Sequence, residues 1–514
     1  METRSPSSDT VVVVGAGPTG LWLAAELTTA GVRTVVLEKR SERSPHARAL
    51  GMMPRTLEVL ALRDAVAPVL AAGRPVPAWH FGLLRESIRF DGLDTPFPYM
   101  LLVPQTTTEH LLEERARRLG VEIVTGAAVT GIDQDDADAP VAVTYSRGGV
   151  QHTVSAALVV GCDGARSTVR QLAAIPFEGE ASRAWGFVGD VLLDSPPAPG
   201  TRIVRPDGAL IVAPLPDGRF RLTGWDPEHQ TTDEQLDLET LRDFVRRMTG
   251  TDLGVHDPSW LSRFGDENRL AATFRAGRVL LAGDAAHIHW PTGGLGLNAG
   301  IQDAMSLGWR AAAVVRGTLA DTALDDYAAE RHAFGVSLRT STLTQSALIT
   351  AAEPATLAIR ATFERLVGTA DGNREIGTWL AGLRPESTLP DVRVVRGAAH
   401  EPPAAPTTLG SMFSDGKPVL LVADPSLRAA VDNALDVLSD EIVIAFVEQT
   451  ADDRGPGLPR LTLFRPDGVA SWTSDDEQPL AEQFDAALRA VGVPVGGLRR
   501  SVPETSPSRR GSDG

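Results

Sequence analysis

The first 40 residues repeat apolar positions first at strand spacing and then at helix spacing. Residues 11–14 are four consecutive valines, which is typical of a buried parallel strand. The segment Gly15-Ala16-Gly17-Pro18-Thr19-Gly20 follows at once, and apolar residues at helical spacing then predict a helix that ends near Gly31. Residues 34–37 form a second apolar run that ends at Glu38. The pattern predicts a strand–helix–strand unit.

The glycines of this unit stand at the GxGxxG spacing of a dinucleotide site. Gly15 makes a tight turn, Gly17 lets the backbone approach a pyrophosphate, and Gly20 lets the helix pack closely on the strand. The helix N-terminus directs unpaired N–H groups and partial positive charge toward that pyrophosphate. Glu38 follows after about 20 residues, where a carboxylate accepts hydrogen bonds from a ribose 2′-OH. A glycine turn without a ligand is the alternative, but the complete pattern favours a nucleotide site.

Two later apolar strands each end at an acidic residue beside a glycine. Residues 157–161 lead to Asp163-Gly164, and residues 279–282 lead to Gly283-Asp284. An acid at a strand end can hold a ribose or ribityl hydroxyl, and the neighbouring glycine permits close approach of the backbone. Inserted β-structure separates the three strand-end sites. Together they predict one nucleotide bound along much of its length, with a flavin end far from the first helix.

A loop with the sequence HIHWPTGGLG spans residues 287–296 and opens a helix that continues through Trp309. This helix start offers N–H groups and partial positive charge where a reduced flavin carries negative charge. His287 and His289 are two positions apart, which suits neither a helical zinc pair nor an HExxH site, and we interpret both as structural. Trp290 has two open interpretations. It either narrows a pocket or stacks on a substrate, or it packs under a sheet.

The rest of the chain predicts further helices and strands. Helices are expected at residues 54–63, 107–119, 234–248 and 323–367, and an inserted β-meander at 121–124, 128–132, 141–146 and 150–154. Between residues 66 and 104 the pattern predicts irregular strands over a pocket. Residues 183–224 alternate apolar and polar positions around two Pro-Asp-Gly turns, which predicts an antiparallel sheet. Residues 384–408 predict a linker. Beyond it, a small α/β domain is predicted, with strands Val419–Val422, Ile442–Val447 and Leu461–Phe464 and helices Leu427–Leu438 and Leu480–Val491.

Length and charge narrow the class of protein. A chain of 514 residues predicts two or three domains, and a net charge of −17 argues against general affinity for nucleic acid. No apolar run is long enough to span a bilayer, and the first ten residues lack a secretory h-region. Cys162 is the single cysteine, which excludes an intrachain disulfide framework and a thiolate metal cluster. We expect a cytoplasmic protein without nucleic-acid or membrane partners, and a homodimer is left open.

Three motifs carry a resemblance to a known family. The segments GAGPTG…E, CDGARSTVR and GDAAHIHWPTGGLGLNAGIQDAMSLGW are similar to those of the single-component FAD-dependent aromatic hydroxylases, which include para-hydroxybenzoate hydroxylase. Polyketide hydroxylases and rifampicin monooxygenases are the members that it resembles most. The resemblance covers about residues 10–350 with specific motifs.

The resemblance implies an α/β fold: a Rossmann-like FAD-binding domain, an inserted antiparallel β-sheet substrate domain and a C-terminal thioredoxin-like domain without redox cysteines. The expected division is 1–180 for the first part of the FAD-binding domain, with substrate-pocket strands near 78–103, 181–272 for the substrate domain, 273–395 for the second FAD-binding part and a helical region, 396–500 for the thioredoxin-like domain and 501–514 for a disordered tail.

The resemblance also implies the cofactor contacts. The expected FAD-binding residues are Gly15, Gly17, Pro18, Thr19 and Gly20 around the pyrophosphate, Glu38 and Lys39 at the adenosine ribose, Arg48 over the pyrophosphate or flavin, Gln105 near the ribityl chain, Val129 at the adenine, Asp163 at FAD and the nicotinamide nucleotide, Asp284 at the ribityl chain or pyrophosphate, and Pro291, Gly294, Gly296, Leu297 and Asn298 around the isoalloxazine. No metal is expected, and no catalytic side chain is assigned because the chemistry belongs to the flavin.

The implied reaction uses NAD(P)H, with NADPH favoured, to reduce the flavin. O₂ then forms a C4a-hydroperoxide that hydroxylates a polycyclic aromatic phenol or quinone of polyketide type, and the protein must exclude water from it. Baeyer–Villiger insertion or oxidative ring opening on a similar substrate is the alternative outcome. From another class, a non-catalytic FAD-binding scaffold also fits the motifs.

Overall fold

A computed structural model describes residues 9–136, 139–198, 200–230, 235–384, 389–390, 392–396, 407–428, 431, 441–447, 458–474 and 487–493. The chain divides into two units, Met1–Thr388 and Leu389–Gly514.

The first unit contains a series of α-helices among its described residues. They are α1 (Pro18–Thr29), α2 (Pro54–Ala61), α3 (Val66–Ala72), α4 (Gln105–Arg118), α5 (Thr168–Leu172), α6 (Leu238–Thr249), α7 (Gly296–Val315), α8 (Ala323–Ile349), α9 (Pro354–Val367) and α10 (Ala370–Leu380). Its strands are β1 (Thr10–Val14), β2 (Arg33–Glu38), β3 (Gly51–Met52), β4 (Arg74–Val76), β5 (Ala78–Trp79), β6 (Ile88–Arg89), β7 (Met100–Leu102), β8 (Glu122–Thr125), β9 (Ala127–Asp133), β10 (Val141–Arg147), β11 (Val150–Ala156), β12 (Leu158–Gly161), β13 (Phe177–Glu180), β14 (Trp185–Leu193), β15 (Arg202–Arg205), β16 (Gly208–Pro214), β17 (Phe220–Trp225), β18 (Val255–Gly265), β19 (Asn268–Ala271), β20 (Arg275–Ala276), β21 (Val279–Leu281) and β22 (His287–Ile288).

The central sheet has the strand order β20-β21-β12-β1-β2-β8. All neighbours are parallel except β20, which pairs antiparallel with β21 at the edge. Residues 11–13 of β1 are fully buried, as expected for a strand with neighbours on both sides and helices on its faces. The predicted strand–helix–strand unit at the N-terminus is confirmed.

The pattern places residues 121–124 in the inserted meander, and this prediction is wrong. The strand β8 pairs in parallel with β2 and extends the central sheet instead. A parallel neighbour needs a connection of helix length, and α4 provides that connection. Only β9, β10 and β11 form the three-stranded antiparallel meander.

A second large sheet is antiparallel, with the order β15-β16-β17-β14-β18. The two predicted hairpin turns are confirmed, because β15 pairs with β16 and β16 with β17. The helix α6 packs its apolar face on this sheet, where Phe244 contacts Phe187 with ring centroids 4.9 Å apart. Asp237 caps the start of α6 by accepting a hydrogen bond from the Thr240 N–H, and Gly250 ends it with a positive φ.

The segment between residues 66 and 104 differs from its prediction in one place. Residues 66–72 form the helix α3 where irregular structure was expected. Its proline, Pro68, lies in the first helical turn, where a missing N–H costs little. The short strands β4 to β7 follow, in small sheets with β3 and with one another.

The second unit contains the strands β23 (Arg393–Arg396), β24 (Thr407–Thr408), β25 (Val419–Val422), β26 (Val443–Val447), β27 (Leu461–Phe464) and β28 (Ala470–Ser474). Their order is β24-β23-β26-β25-β27-β28, with β25 and β26 parallel and the other pairs antiparallel. The three strands predicted in this region are confirmed.

The prediction of a linker over residues 384–408 is wrong for β23 and β24, which join this sheet. The proline, alanine and threonine of that stretch gave no strand pattern. The strand β23 is fixed by its pairing with β26, which lies outside the stretch, and β24 in turn pairs with β23. Most residues of the helices predicted at Leu427–Leu438 and Leu480–Val491, and the tail from Ser501, lie outside the described residues.

Within the described residues, no helix has the length and apolar character that crossing a bilayer requires.

Candidate functional site

Three turns lie at one edge of the central sheet because β21, β12 and β1 are parallel neighbours. Gly15 follows β1, Asp163 comes shortly after β12, and Gly283 comes shortly after β21. The N–H of Gly15 donates to the carbonyl of Leu37 at 2.8 Å, which brings the end of β2 to the same place. The structure therefore gathers the three predicted strand-end sites at the carboxyl edge of the sheet, where open α/β sheets bind ligands.

The glycines of the first turn serve different purposes. A Cβ on Gly15, whose φ is +106°, would overlap the carbonyl oxygen of Cys162, and a Cβ on Gly20 would overlap the carbonyl oxygen of Gly15. A Cβ on Gly17 would have no atom within 4 Å. Gly15 and Gly20 are thus required by the fold itself. Gly17 leaves open space at the N-terminus of α1, where a pyrophosphate can approach the backbone.

Glu38 is 9% exposed at the end of β2 and is bonded to the glycine turn. Its Oε2 accepts a hydrogen bond from the Ala16 N–H at 2.8 Å, and its Oε1 accepts one from the Arg40 N–H at 2.9 Å. Burial raises the pKa of Glu38, but these N–H groups and the Arg40 guanidinium outweigh it and hold the pKa below its ordinary value. The carboxylate is ionised and can accept about four hydrogen bonds, so it can accept one from a ribose hydroxyl in addition to those from the protein.

Asp163 accepts three hydrogen bonds at the start of α5. The Ser167 hydroxyl donates to its Oδ1 at 2.5 Å, and the N–H groups of Thr168 and Val169 donate to its Oδ2 at 2.7 and 3.2 Å. This side chain therefore holds the turn between β12 and α5 in shape. Arg170 of the same helix donates to the carbonyls of Ala165 at 2.9 Å and Ala285 at 2.8 Å, so it ties the β12 turn to the β21 turn.

The turn after β21 is held by a buried carboxylate on one side, and its own acidic residue is exposed. The Gly283 N–H donates to Asp303 Oδ2 at 2.9 Å, and Asp303 is a fully buried residue of α7. The same carboxylate lies 2.7 Å from His287 Nε2 and accepts from Arg331 Nε at 2.6 Å. Asp284 is exposed, and its side chain makes no hydrogen bond to any described residue. Among the described residues, no group of three His, Cys, Asp or Glu side chains is arranged to hold a metal ion.

The loop before α7 turns on glycines with left-handed backbone. Gly293 and Gly294 have φ of +72° and +73°, and a Cβ on Gly294 would meet nothing within 4 Å. Asn298 is buried in the first turn of α7, donates to the carbonyls of Gly51 at 3.1 Å and Gly294 at 2.8 Å, and accepts from the Met53 N–H at 2.7 Å. Asn298 therefore joins this loop to β3. The open face of Gly294 lets a flat ring approach the backbone.

Arg48 lies on the loop that leads to β3, and Gln105 is the first residue of α4. Gln105 accepts from the Ala49 N–H at 3.1 Å and donates to Glu109 at 2.8 Å, which fixes the chain beside Arg48. Arg48 is exposed and makes no hydrogen bond or ion pair with any described residue. A guanidinium without a protein partner is available to an anionic ligand.

The remaining predicted residues have varied surroundings. Thr19 packs between two glycines: a Cβ on Gly283 would lie 2.7 Å from Thr19 Oγ1, and a Cβ on Gly300 would overlap the same atom. This contact is a packing role that the motif alone does not reveal. The others are Pro18 at the first position of α1, Lys39 exposed after β2, Val129 buried on β9, Pro291 exposed before the glycine turn, and Gly296 and Leu297 half-buried at the start of α7. Among the described residues, the Lys39 side chain makes no hydrogen bond to the glycine turn.

Comparison with known proteins shows the family to which this chain belongs. Residues 8–342 match the family described as FAD binding domain. The chain belongs to this family of FAD-dependent monooxygenases. The resemblance stated from the three motifs is therefore confirmed.

This monooxygenase is similar to proteins that span nearly its whole length. A rifampicin monooxygenase from Streptomyces venezuelae is 37% identical over 507 residues, which cover 94% of this chain and 99% of the relative. A solved structure of an anhydrotetracycline hydroxylase from Streptomyces rimosus has a TM-score of 0.83 and 34% identity, covering 94% of this chain and 99% of that one. A dialkyldecalin synthase from Streptomyces rugosporus is 33% identical over 480 residues, which cover 91% of this chain and 97% of the relative.

The residues predicted to contact the cofactor fit FAD. Gly17 and Gly294 leave open space in front of the backbone at two separate turns. Asp284 and Arg48 are charged, exposed and without hydrogen bonds among the described residues. A dinucleotide with hydroxyl groups and a pyrophosphate supplies the donors and the negative charge that these groups lack.

Trp290 packs between the antiparallel sheet and the segment before β6 of the monooxygenase. It is 4% exposed and belongs to a buried cluster with Leu83, Ala209, Trp225 and Ile349. Its ring centroid lies 6.3 Å from that of Phe264 on β18. Of the two interpretations left open by the sequence, the structure shows packing against the sheet.

His80 is a buried polar residue that the sequence did not single out. It is 5% exposed, and its Nδ1 has no hydrogen-bond partner. Burial, together with the positive charge of Arg202, lowers the pKa of His80 to about 3. His80 is therefore neutral at physiological pH. The rings of Trp79 and His80 are 5.0 Å apart, and the Trp79 indole N–H is also buried without a partner.

The sequence reasoning missed Asp303, Arg170 and His80. Asp303 and Arg170 stand inside segments that the motifs already marked, and their signal is a charged residue at a buried position of a helix. Such a residue needs a partner, because an unpaired charge is costly in the core. His80 carries no signal of this kind in the sequence.

Proposed function

We propose that this chain uses NAD(P)H, with NADPH favoured, and O₂ to hydroxylate a polycyclic aromatic phenol or quinone of polyketide type through a flavin C4a-hydroperoxide. The balanced reaction inserts one oxygen atom of O₂ into the substrate and reduces the other to water, with one NAD(P)H and one proton consumed. Two relatives, a rifampicin monooxygenase and an anhydrotetracycline hydroxylase, support this substrate class.

The observation that carries the proposal is the anchoring of the loop before α7 on the antiparallel sheet. Trp290 stands directly before Pro291, and it packs with Ala209 of β16 and Trp225 of β17. A ring that lies on the Pro291–Gly296 loop is thereby held next to this sheet. A flat substrate that binds on the same side of the sheet would meet the ring without further conformational change, which favours reaction over diffusion.

Each part of the site has a task in this proposal. FAD supplies the redox chemistry when bound. Gly17 and the N-terminus of α1 receive the pyrophosphate, Glu38 receives the ribose, and Arg48 neutralises phosphate charge. Gly294 and Gly296 allow the isoalloxazine to lie against the backbone at the start of α7, where partial positive charge stabilises a reduced flavin. The buried cluster around Trp290 excludes water from the reacting atoms.

The proposal includes the domain division expected from the sequence: 1–180 and 273–395 for FAD, 181–272 for substrate and 396–500 for a thioredoxin-like domain. For the last of these, the order β26-β25-β27-β28, with one parallel pair and two antiparallel pairs, supports a thioredoxin-like sheet. Cys162 is the single cysteine and lies outside residues 396–500, so thiol–disulfide exchange is not the role of the thioredoxin-like domain.

Two other outcomes are part of the test. Baeyer–Villiger insertion or ring opening also adds oxygen, but at a carbonyl carbon. The second alternative is a non-oxidative role for a FAD-binding protein of this family, because one relative is a dialkyldecalin synthase.

The experiment supplies the purified, FAD-loaded protein with anhydrotetracycline, rifampicin and a panel of polycyclic phenols and quinones. NADPH and NADH consumption is followed by absorbance, with catalase present, and products formed under ¹⁸O₂ are analysed by mass and fragment position. We expect substrate-dependent NADPH consumption and a product with one labelled oxygen on an aromatic ring. Label beside a former carbonyl would establish the insertion alternative. Rearranged product of unchanged mass, without NADPH consumption, would refute the monooxygenase proposal.

A further inference from the structure

His289 has one ring nitrogen bonded and the other without a partner. Its Nδ1 lies 2.7 Å from the carbonyl oxygen of Trp290. A carbonyl only accepts, so Nδ1 carries the proton and donates. Burial is the main reason that the pKa of His289 is below its ordinary value, although the Trp290 carbonyl and Asp284 oppose the shift. The ring is neutral at physiological pH, and its Nε2 is therefore a lone pair that can only accept.

This lone pair has no partner in the protein. The Nε2 atom of His289 is buried and makes no hydrogen bond to any described residue. A buried acceptor without a donor is unfavourable, and native proteins satisfy most such atoms with protein, water or ligand. The charged or titratable groups that face the ring are Asp284 and His287, and neither donates to Nε2.

The position of Nε2 shows where a donor would come from. A Cβ on Gly296 would lie 3.7 Å from His289 Nε2 and 3.8 Å from Asp284 Oδ1. Two acceptors without partners thus flank the first residue of α7, a helix of 20 residues. The partial positive charge of that helix start disfavours a cation between them. A neutral molecule with several O–H or N–H donors fits both acceptors.

We propose that His289 is a direct ligand of the flavin half of FAD, with Nε2 accepting a hydrogen bond from a ribityl hydroxyl or from the isoalloxazine N3–H. Asp284 accepts from a neighbouring donor of the same cofactor. The inference rests on FAD binding, which the family establishes, and it does not depend on the substrate or the reaction proposed above.

The test compares His289→Leu with His289→Gln in full-length protein stripped of FAD. Affinities for FAD are measured by quenching of flavin fluorescence, and affinities for ADP by calorimetry. Since ADP occupies the glycine turn but lacks the flavin half, we expect His289→Leu to weaken FAD about 2- to 12-fold, as for one lost hydrogen bond, and to leave ADP unchanged. His289→Gln keeps an acceptor oxygen and should recover part of the FAD affinity.

FAD methylated at N3 separates the two donors. If the difference between wild type and His289→Leu persists with this analogue, a ribityl hydroxyl is the donor, and if it disappears, N3–H is. His287→Leu serves as the control for a structural histidine, because His287 contacts Asp303, and it should affect FAD and ADP alike. Unchanged FAD affinity in His289→Leu, or an equal loss of FAD and ADP affinity, would overturn the proposal. Turnover is not needed for any of these measurements.

Discussion

The substitution Gly17→Ala tests whether the open space at the first turn belongs to the FAD pyrophosphate. Gly17 has φ of −76° and ψ of −180°, which alanine adopts without strain, and its Cβ would have no atom within 4 Å. At this N-cap position alanine is less favourable than glycine by about 0.5–1 kcal/mol. Reduced entropy of the unfolded chain offsets about 0.4–1 kcal/mol of that loss. The FAD-free protein should therefore melt at nearly the same temperature as wild type.

The cofactor should respond differently. A methyl group in the space of a closely approaching pyrophosphate costs about 1–3 kcal/mol, by analogy with an overpacked core, which is about 5- to 150-fold in affinity. FAD binding is measured by fluorescence quenching and thermal stability by circular dichroism on the FAD-stripped protein. Gly20→Ala is the matched control, because its Cβ would overlap the Gly15 carbonyl oxygen. That variant should lower the melting temperature even without FAD.

The two variants therefore separate a ligand role from a folding role within one motif. Equal FAD affinity in Gly17→Ala and wild type would show that the pyrophosphate does not approach this residue. A large loss of stability in FAD-free Gly17→Ala would refute the claim that the space is open in the protein itself.

Three further predictions follow from the same geometry. Asp303→Asn leaves the Arg331 guanidinium buried without its carboxylate and should destabilise the protein by about 3–5 kcal/mol. Adding Arg331→Met removes the unpaired charge and should recover part of the melting temperature. A double variant no more stable than the single one would contradict the pairing. Asp284→Ala should weaken FAD binding about 10- to 150-fold, from loss of a charge-assisted hydrogen bond worth about 1.5–3 kcal/mol, while the FAD-free melting temperature stays unchanged. Equal FAD affinity in wild type and variant would remove this residue from the site. The pKa of His80 falls to about 3 on folding from about 6.5 in the unfolded chain, so the unfolded state binds the extra proton. Stability is therefore lost as pH falls through this range, by about 2 kcal/mol between pH 7 and 5. The drop in melting temperature between pH 7 and pH 5 should thus be smaller in His80→Leu than in wild type, and equal drops would show that His80 is not held neutral.

Much of the candidate site was predictable because local spacing carries backbone requirements. Gly15 has a positive φ and no room for a Cβ, and Gly20 has no room either, so only glycine serves at these positions. The four consecutive valines of β1 are by themselves sufficient to predict a buried strand. The acids after β12 and β21 mark the ends of apolar strands. Each of these signals extends over a few residues along the chain, which is why the sequence alone predicts these turns.

The roles of individual side chains were not predictable in the same way. Asp163 holds the start of α5, and Thr19 packs between Gly283 and Gly300. The sequence predicts both residues as FAD contacts, whereas the structure shows contacts of both side chains within the protein. A motif reports which residue types recur at a turn, but whether a side chain faces the ligand or the protein depends on the elements that pack against it.

The sequence by itself determined the family and the parallel sheet, and it predicted the edge at which we expect FAD to bind, since strand periodicity and glycine geometry are local properties. Only the tertiary structure decided which residues complete that edge. Asp303 meets Gly283, His287 and Arg331 across 16 to 28 positions of the chain. The strand β8 joins the central sheet because α4 carries the chain back alongside β2. These contacts depend on how helices and strands pack, and the spacing of residues along the chain does not predict them.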